Sequence, residues 1–251
     1  MYQFFIEPSG VQNGQIIITG SDVNHIKNVL RMRAGEKIAA VSETENRKYL
    51  CEIRKTEEER ILCNILSAEE AVSELSAKIF LFQGLPKGDK MEWIIQKAVE
   101  LGCFEIVPVV CRRCVVKLEE KKRKSKVERW QSISEAAAKQ SGRQIIPRVQ
   151  DVMTFSEALA YVNDMDVRLI PYEKAVDMAE TKRLLESLRP GQNIAVFIGP
   201  EGGFEEAEIE EAGRSGIVPV TLGGRILRTE TAAITALSWL MYYLEDFHGA
   251  N

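Results

Sequence analysis

Two glycine-bearing segments near the C-terminus carry the residues best suited to chemistry. Gly199-Pro200-Glu201-Gly202-Gly203-Phe204 follows the apolar run Ile194-Ala195-Val196-Phe197-Ile198. Leu222-Gly223-Gly224-Arg225-Ile226-Leu227-Arg228-Thr229-Glu230-Thr231-Ala232 follows Ile217-Val218-Pro219-Val220-Thr221. Each runs from a short β-type stretch into a helical pattern. Open α/β sheets hold ligands in such turns, at the carboxyl ends of parallel strands. Glycine lets the backbone approach a ligand because no Cβ intervenes. A tight strand-to-helix connection explains one such loop slightly better; two at neighbouring strand ends favour a ligand. Arg225 and Arg228 add cations to the same edge. A cofactor crevice with a basic rim is the chemistry of a transferase acting on an anionic substrate.

The common nucleotide motifs do not fit. Gly199 to Gly203 is not G-x-G-x-x-G, and no carboxylate at the end of a following strand marks a ribose site. No Gly-Lys-Ser/Thr follows, so it is not a Walker loop. With only two histidines, His25 and His248, and no G-x-S-x-G, hydrolase triads and histidine-rich metal sites are excluded. Cys111-Arg112-Arg113-Cys114 is formally a C-x-x-C, but it lacks a second ligand pair for zinc and lies in a β-branched run. No metal is expected. The five cysteines, an odd number set in or beside apolar runs, read as those of a reduced cytosolic protein.

The elements that must position these loops fall into two blocks. Residues 2–6, 15–19, 37–41, 48–54 and 60–66 read as short strands with one helix from residue 22 to about 32, whose apolar side is Ile26, Val29 and Leu30. This pattern predicts a small β-barrel over residues 1–70. From residue 75 the pattern alternates strand and helix, predicting a parallel-sheet α/β domain over 75–251. Its strands are 79–83, 106–110, 167–171, 194–198 and 217–222. Its helices begin at residues 89, 119, 205 and 229. The helix from Asp89 has Glu92 at capping-box spacing. The helix from Thr229 to about Phe247 is apolar nearly all round and suits a homodimer interface.

Charge is uneven. The formal net charge is −4, yet residues 112–129 hold Arg112, Arg113, Lys117, Lys121, Lys122, Arg123, Lys124, Lys126 and Arg129 against three glutamates. A solvated helix face or a local RNA-backbone site both fit that stripe. The longest apolar stretch, Ala232 to Leu244, is too short to span a bilayer, and no signal peptide opens the chain. A cytoplasmic protein is expected.

Several blocks resemble a known family. They are Phe82-Gln83-Gly84-Leu85-Pro86-Lys87-Gly88-Asp89-Lys90-Met91-Glu92-Trp93-Ile94-Ile95-Gln96-Lys97, Glu100-Leu101-Gly102, Gln140-Ser141-Gly142-Arg143 with Pro147, Ile198 to Gly203, and Leu222 to Ala232. His25-Ile26, Val29-Leu30-Arg31-Met32 and Gly35 match at the N-terminal end. In order and spacing the chain resembles the RsmE-type 16S ribosomal RNA (uracil-N3)-methyltransferases over essentially its whole length. The resemblance implies a PUA-like N-terminal barrel, a trefoil-knotted SPOUT methyltransferase domain, a homodimer, S-adenosylmethionine as methyl donor and 16S rRNA of the small subunit as substrate. The donor would lie among Tyr172, Gly199, Pro200, Glu201, Gly202, Gly203, Leu222, Gly223, Ile226, Leu227 and Arg228. RNA contacts would come from Arg31, Arg33, Lys87, Arg112, Arg113 and Lys117. Two residues depart from the pattern. Gln3 stands where an arginine commonly precedes the paired aromatics, and Cys114 stands where many members have serine.

The reaction assigns roles. Uracil N3 is a poor nucleophile until it loses its proton, so the anion must be aligned and stabilised. Arginine stays cationic and can fork toward O2 or O4. The expectation gives this task to Arg228, with Arg143 orienting the base or its phosphate, in cis or across the dimer. Glu230 would orient Arg228 or accept the proton. Alternatives are another SPOUT-class tRNA or rRNA methyltransferase, acting on a ribose 2′-hydroxyl or another base, and a non-enzymatic RNA-binding assembly factor.

Overall fold

A computed structural model of the chain describes residues 1–12, 14–70, 73–116, 120–175 and 177–245. Lys117, His248 and the expected end of the last helix near Phe247 lie outside the described residues. The chain divides into two units, residues 1–74 with 138–145, and residues 75–137 with 146–251. The segment 138–145 therefore counts with the first unit, although the chain pattern groups it with the second.

The first unit is built on β1 (Gln3–Phe5), β2 (Val11–Gln12), β3 (Gln15–Thr19), a short helix α1 (Ser21–Asn24), β4 (Lys37–Ser42), β5 (Arg47–Thr56) and β6 (Arg60–Glu70). They form one six-stranded sheet in the order β1-β4-β5-β6-β3-β2, antiparallel except for the parallel β1–β4 pair. β1 and β2 lie at opposite ends of that order, so hydrogen bonding does not close the expected barrel. Bulges after Leu50 and after Ile53 in β5 let the sheet curl. The alternating strand residues Ile16, Ile18, Ile38, Ala40, Cys51, Ile53, Ile61 and Cys63 meet Phe4, Val23 and Ile26 in a single core. The predicted helix 22–32 is shorter. After Asn24 the backbone takes a π turn over His25–Val29, and Arg31 adopts φ 57°. The wider turn rotates Val29 out to 65% exposure, while Ile26 stays fully buried.

The second unit runs β7 (Lys78–Gly84), α2 (Lys90–Glu100), β8 (Glu105–Val110), α3 (Glu120–Ser141, its last turn counted with the first unit), β9 (Arg148–Val149), β10 (Met153–Thr154), α4 (Phe155–Tyr161), β11 (Val167–Pro171), α5 (Met178–Glu186), β12 (Asn193–Ile198), α6 (Glu206–Arg214), β13 (Val218–Val220) and α7 (Thr229–Leu244). Every strand pair in this sheet is parallel, in the order β10-β8-β7-β12-β11-β13, with β9 beside β8. Near-continuous burial along β7, β8 and β12 is the mark of a sheet covered on both faces. Phe82 and Phe197 stack at 4.5 Å between ring centroids, and Phe155 and Phe204 extend the cluster.

Helices α4 and α5 were absent from the sequence reading, though their caps are legible in retrospect. Thr154 and Glu157 form a reciprocal capping box, and Asp177 accepts from the N–H groups of Ala179 and Glu180. The expected box at Asp89 and Glu92 does not form, because the Asp89 side chain makes no cap hydrogen bond and Arg129 pairs with Glu92 instead.

One close approach fixes where β7 ends. A Cβ on Gly84 would lie 2.6 Å from Pro200 Cδ and 2.7 Å from Pro200 N. Gly84→Ala is therefore expected to destabilise the second unit by about 1–3 kcal/mol, the usual cost of overpacking. Urea or thermal unfolding tests this; a change below about 0.5 kcal/mol, as at an ordinary surface site, would contradict it.

Candidate active site

Three loops at the carboxyl ends of neighbouring strands enclose a cleft. The first is Tyr172 and Glu173 after β11, the second Gly199–Phe204 after β12, and the third Thr221–Leu227 after β13. The two glycine loops do not stand side by side, because β11 lies between β12 and β13. That insertion brings the third wall into place. Pro171, Ile198, Thr229 and Ala232 complete a space of about 820 Å³, open to solvent. Gly203 (φ 67°) and Gly223 (φ 106°) occupy conformations that side chains resist, so these positions demand glycine.

A buried hydrogen-bonded chain fixes two of the walls. Thr229 Oγ1 donates to the Gly199 carbonyl at 2.6 Å and accepts from Gln83 Nε2 at 2.9 Å. The end of β7, the loop after β12 and the first turn of α7 are thus tied at one hydroxyl. Glu201 is held by the Lys87 N–H at 3.0 Å and by the Lys90 ammonium at 3.0 Å. Burial alone would raise the Glu201 carboxyl, but these bonds and one from its own N–H outweigh it and hold the group below the usual carboxylate value. Glu201 and Glu173 therefore offer negative charge beside apolar Ile198, Phe204, Leu222, Ile226 and Leu227. Such a wall suits a cationic ligand with an apolar body.

Ten of the expected donor residues line this cleft: Tyr172, Gly199, Pro200, Glu201, Gly202, Gly203, Leu222, Gly223, Ile226 and Leu227. The eleventh, Arg228, caps α7 at the cleft's edge. It is exposed, and its guanidinium has no partner among the described residues. Glu173 and Arg225 lie in the expected donor loops; sequence reasoning missed Thr221 and Thr229 as lining residues, and Gln83 and Lys90 as supports. The last two stood inside a recognised block, yet no spacing rule links them to loops more than a hundred residues away.

The expected RNA contacts divide between the units. Arg31 and Arg33 are exposed in the first unit, after the π turn. In the second, Arg113 donates to the Gly202 carbonyl at 2.9 Å and the Arg112 N–H to Glu208 at 2.8 Å. Together with Lys87 they set three cations around the loop Gly199–Phe204. Arg143 belongs to the first unit, its side chain is 4% exposed, and its guanidinium donates to both oxygens of Glu74. Such a buried pair braces the local fold. Gln3 supports the same spot by donating to the Arg143 carbonyl at 2.6 Å.

The cysteine pair forms a turn beyond the end of β8, not a stretch of strand. Cys114 N–H donates to the Cys111 carbonyl at 3.0 Å, and Cys111 N–H to Cys114 Sγ at 3.2 Å. None of the five cysteines is in a disulfide. Among the described residues no group of three or more His, Cys, Asp or Glu could hold a metal ion, and no helix is long and apolar enough to cross a membrane. A hydrogen bond from the Cys111 side chain holds the Cys114 thiol below its usual value, and the same contact with burial pushes Cys111 up. Burial raises Cys51 to about 11 and Cys63 to about 12. Limiting iodoacetamide at neutral pH should label Cys114 well before these three. Peptide mass mapping reads the order, and uniform labelling would refute it.

Comparison with known proteins follows the same division. Residues 73–241 match the family described as RNA methyltransferase domain, and residues 18–66 match RNA methyltransferase PUA domain. Ribosomal RNA small subunit methyltransferase E of Bacillus subtilis is 39% identical, covering 99% of both chains. The crystal structure of a ribosomal RNA small subunit methyltransferase E from Neisseria gonorrhoeae bound to S-adenosylmethionine has a TM-score of 0.83 at 32% identity, over 98% of this chain and 99% of that one. A putative methyltransferase from Legionella pneumophila in complex with the same cofactor also gives 0.83, at 31% identity over 96% and 97% of the two chains. The chain belongs to the ribosomal RNA small subunit methyltransferase E family, RNA methyltransferases with an N-terminal PUA domain.

Proposed function

We propose that this protein methylates N3 of one uridine in 16S ribosomal RNA of the small subunit, with S-adenosylmethionine as donor. The observation that carries this reading is the three-walled cleft with an unpaired arginine at its edge. When bound, the donor supplies a methyl group on a sulfonium. Glu173 and Glu201 would face its positive charge, and the apolar walls from Ile198, Leu222, Ile226 and Leu227 would take its uncharged part. Arg228, fixed as the first residue before α7, directs a permanent cation to the mouth. That cation stabilises the uracil anion and makes N3 nucleophilic at lower cost. Glu230 lies two residues on, at the first turn of the same helix, and orients the arginine-bearing backbone. Lys87, Arg112 and Arg113 bind backbone phosphates on the rim, and Arg31 and Arg33 do so on the PUA domain.

We also infer a trefoil-knotted domain, a cytoplasmic location and a homodimer. The knot is supported by the order β7-β12-β11-β13, in which the earlier strand β11 lies between the later strands β12 and β13. The dimer is supported by Tyr242 and Tyr243, exposed on α7 at 65% and 37%. An apolar residue on a solvent-facing helix side gains by burial in a partner.

Arg228→Ala should reduce turnover by about 10²–10³, as loss of one oxyanion-stabilising donor does, far more than it weakens binding of the methyl donor. Cells lacking the protein should yield 16S rRNA without one 3-methyluridine, restored by the wild-type chain and not by Arg228→Ala. Nucleoside mass spectrometry reads both. Loss of a ribose 2′-O-methyl group instead would replace this reading with the ribose-methylating alternative.

A further inference from the structure

The support for the cleft includes a residue with no expected role. Lys90 opens α2, a helix anchored by buried Met91, Ile94, Ile95 and Ala98. Its ammonium lies 3.0 Å from Glu201 Oε1 and 3.4 Å from Glu230 Oε2. Glu201 belongs to the loop after β12, and Glu230 to the first turn of α7. Two carboxylates from separate walls thus converge on one cation. Without it they would repel across the cleft's base.

The two carboxylates depend on Lys90 unequally. Glu201 keeps a second donor, the Lys87 N–H. Glu230 Oε2 is buried and makes no hydrogen bond, so the nearby ammonium is its compensation among the described residues. A carboxylate with one shielded oxygen, left without its cation, favours a shift of the element bearing it toward water. The element here is the turn that begins at Arg228.

We propose that Lys90 is a positioning residue for methyl transfer: its ammonium clamps the start of α7 to the donor loop and so fixes where Arg228 points. This deepens the methyltransferase reading and rests on it. Loss of Lys90 falls on turnover more than on donor binding, because the donor loop retains its second tie.

The test uses the full-length chain and four variants: Lys90→Met, Lys90→Arg, Glu230→Gln and Lys90→Met/Glu230→Gln. Calorimetry measures S-adenosylmethionine affinity, single-turnover methylation of small subunits measures the rate, and hydrogen exchange reports residues 228–233. Lys90→Met is expected to lower the rate about tenfold or more, to change donor affinity by less than about threefold, and to speed exchange in that turn. Lys90→Arg should recover most of the rate. The double variant should lose less than the two single losses combined, since neutralising Glu230 removes the charge that needs the clamp. A Lys90→Met rate near that of the wild type, equal losses in rate and affinity, additive losses, or unchanged exchange at 228–233 would overturn the proposal. A wild-type chain that neither binds the donor nor methylates would overturn the functional reading instead, and the exchange measurement would still decide the role of Lys90.

Discussion

The hydroxyl of Thr229 holds the cleft together. It donates to the half-buried Gly199 carbonyl and accepts from the buried Gln83 amide. A buried donor or acceptor must be paired, and losing one partner costs about 1–3 kcal/mol. Three elements distant in sequence are therefore held to one geometry. The donor loop cannot rise from the sheet without breaking the bond from Thr229. Helix α7 cannot rotate without breaking both bonds, and Arg228 is the residue just before Thr229. The contact of Gly84 against Pro200 closes the same corner from below, where no side chain fits.

Around this corner the charges are arranged by layer. The inner layer is Lys90 between Glu201 and Glu230, paired and partly shielded. The outer layer is Lys87, Arg112, Arg113, Arg225 and Arg228, largely exposed. Lys87 and Arg113 touch the loop after β12, Arg225 lines the cleft, Arg112 reaches Glu208 and Glu205, and Arg228 caps α7. A cleft with carboxylates inside and cations at its lip favours a cationic donor within and an anionic polymer outside. The chain as a whole carries −4, so the positive charge here is a property of this local layer and not of net charge.

The cysteine turn and helix α6 join that outer layer. The buried carboxylate of Glu208 accepts from the N–H of Arg112 and, in its capping box, from the N–H of Glu205. One side chain thus caps α6 and holds the turn that carries Arg113 to the Gly202 carbonyl. The sequence shows this region only as a cluster of glutamates favourable to a helix dipole. Its work is to seat the arginine turn against the donor loop.

Local chemistry decided much on its own. Alternation of Cys51 with Ile53 and of Ile61, Cys63 and Ile65, and unbroken apolar runs at 79–82 and 194–198, specify strand type because side-chain period follows from backbone geometry. The glycine loops are legible because positive φ and close backbone approach exclude other residues. The π turn after Asn24 was not, since its departure from the α-helix depends on seating Ile26 in the core while Arg31 takes a left-handed conformation. Nor was the strand order, which sets β11 between the two glycine loops. Parallel neighbours are chosen by packing across the whole sheet, and no local pattern encodes them. Long-range pairing also settled the side chains of ambiguous role. Arg143 reads as a free cation in the sequence, but the fold brings Glu74 to it. Lys90 reads as an ordinary helix-start lysine, but the fold brings two carboxylates to its ammonium. The sequence by itself determined which residues could do the chemistry. Tertiary structure decided which of them are already spent on one another, because a charge is free or paired only in relation to what folding places beside it.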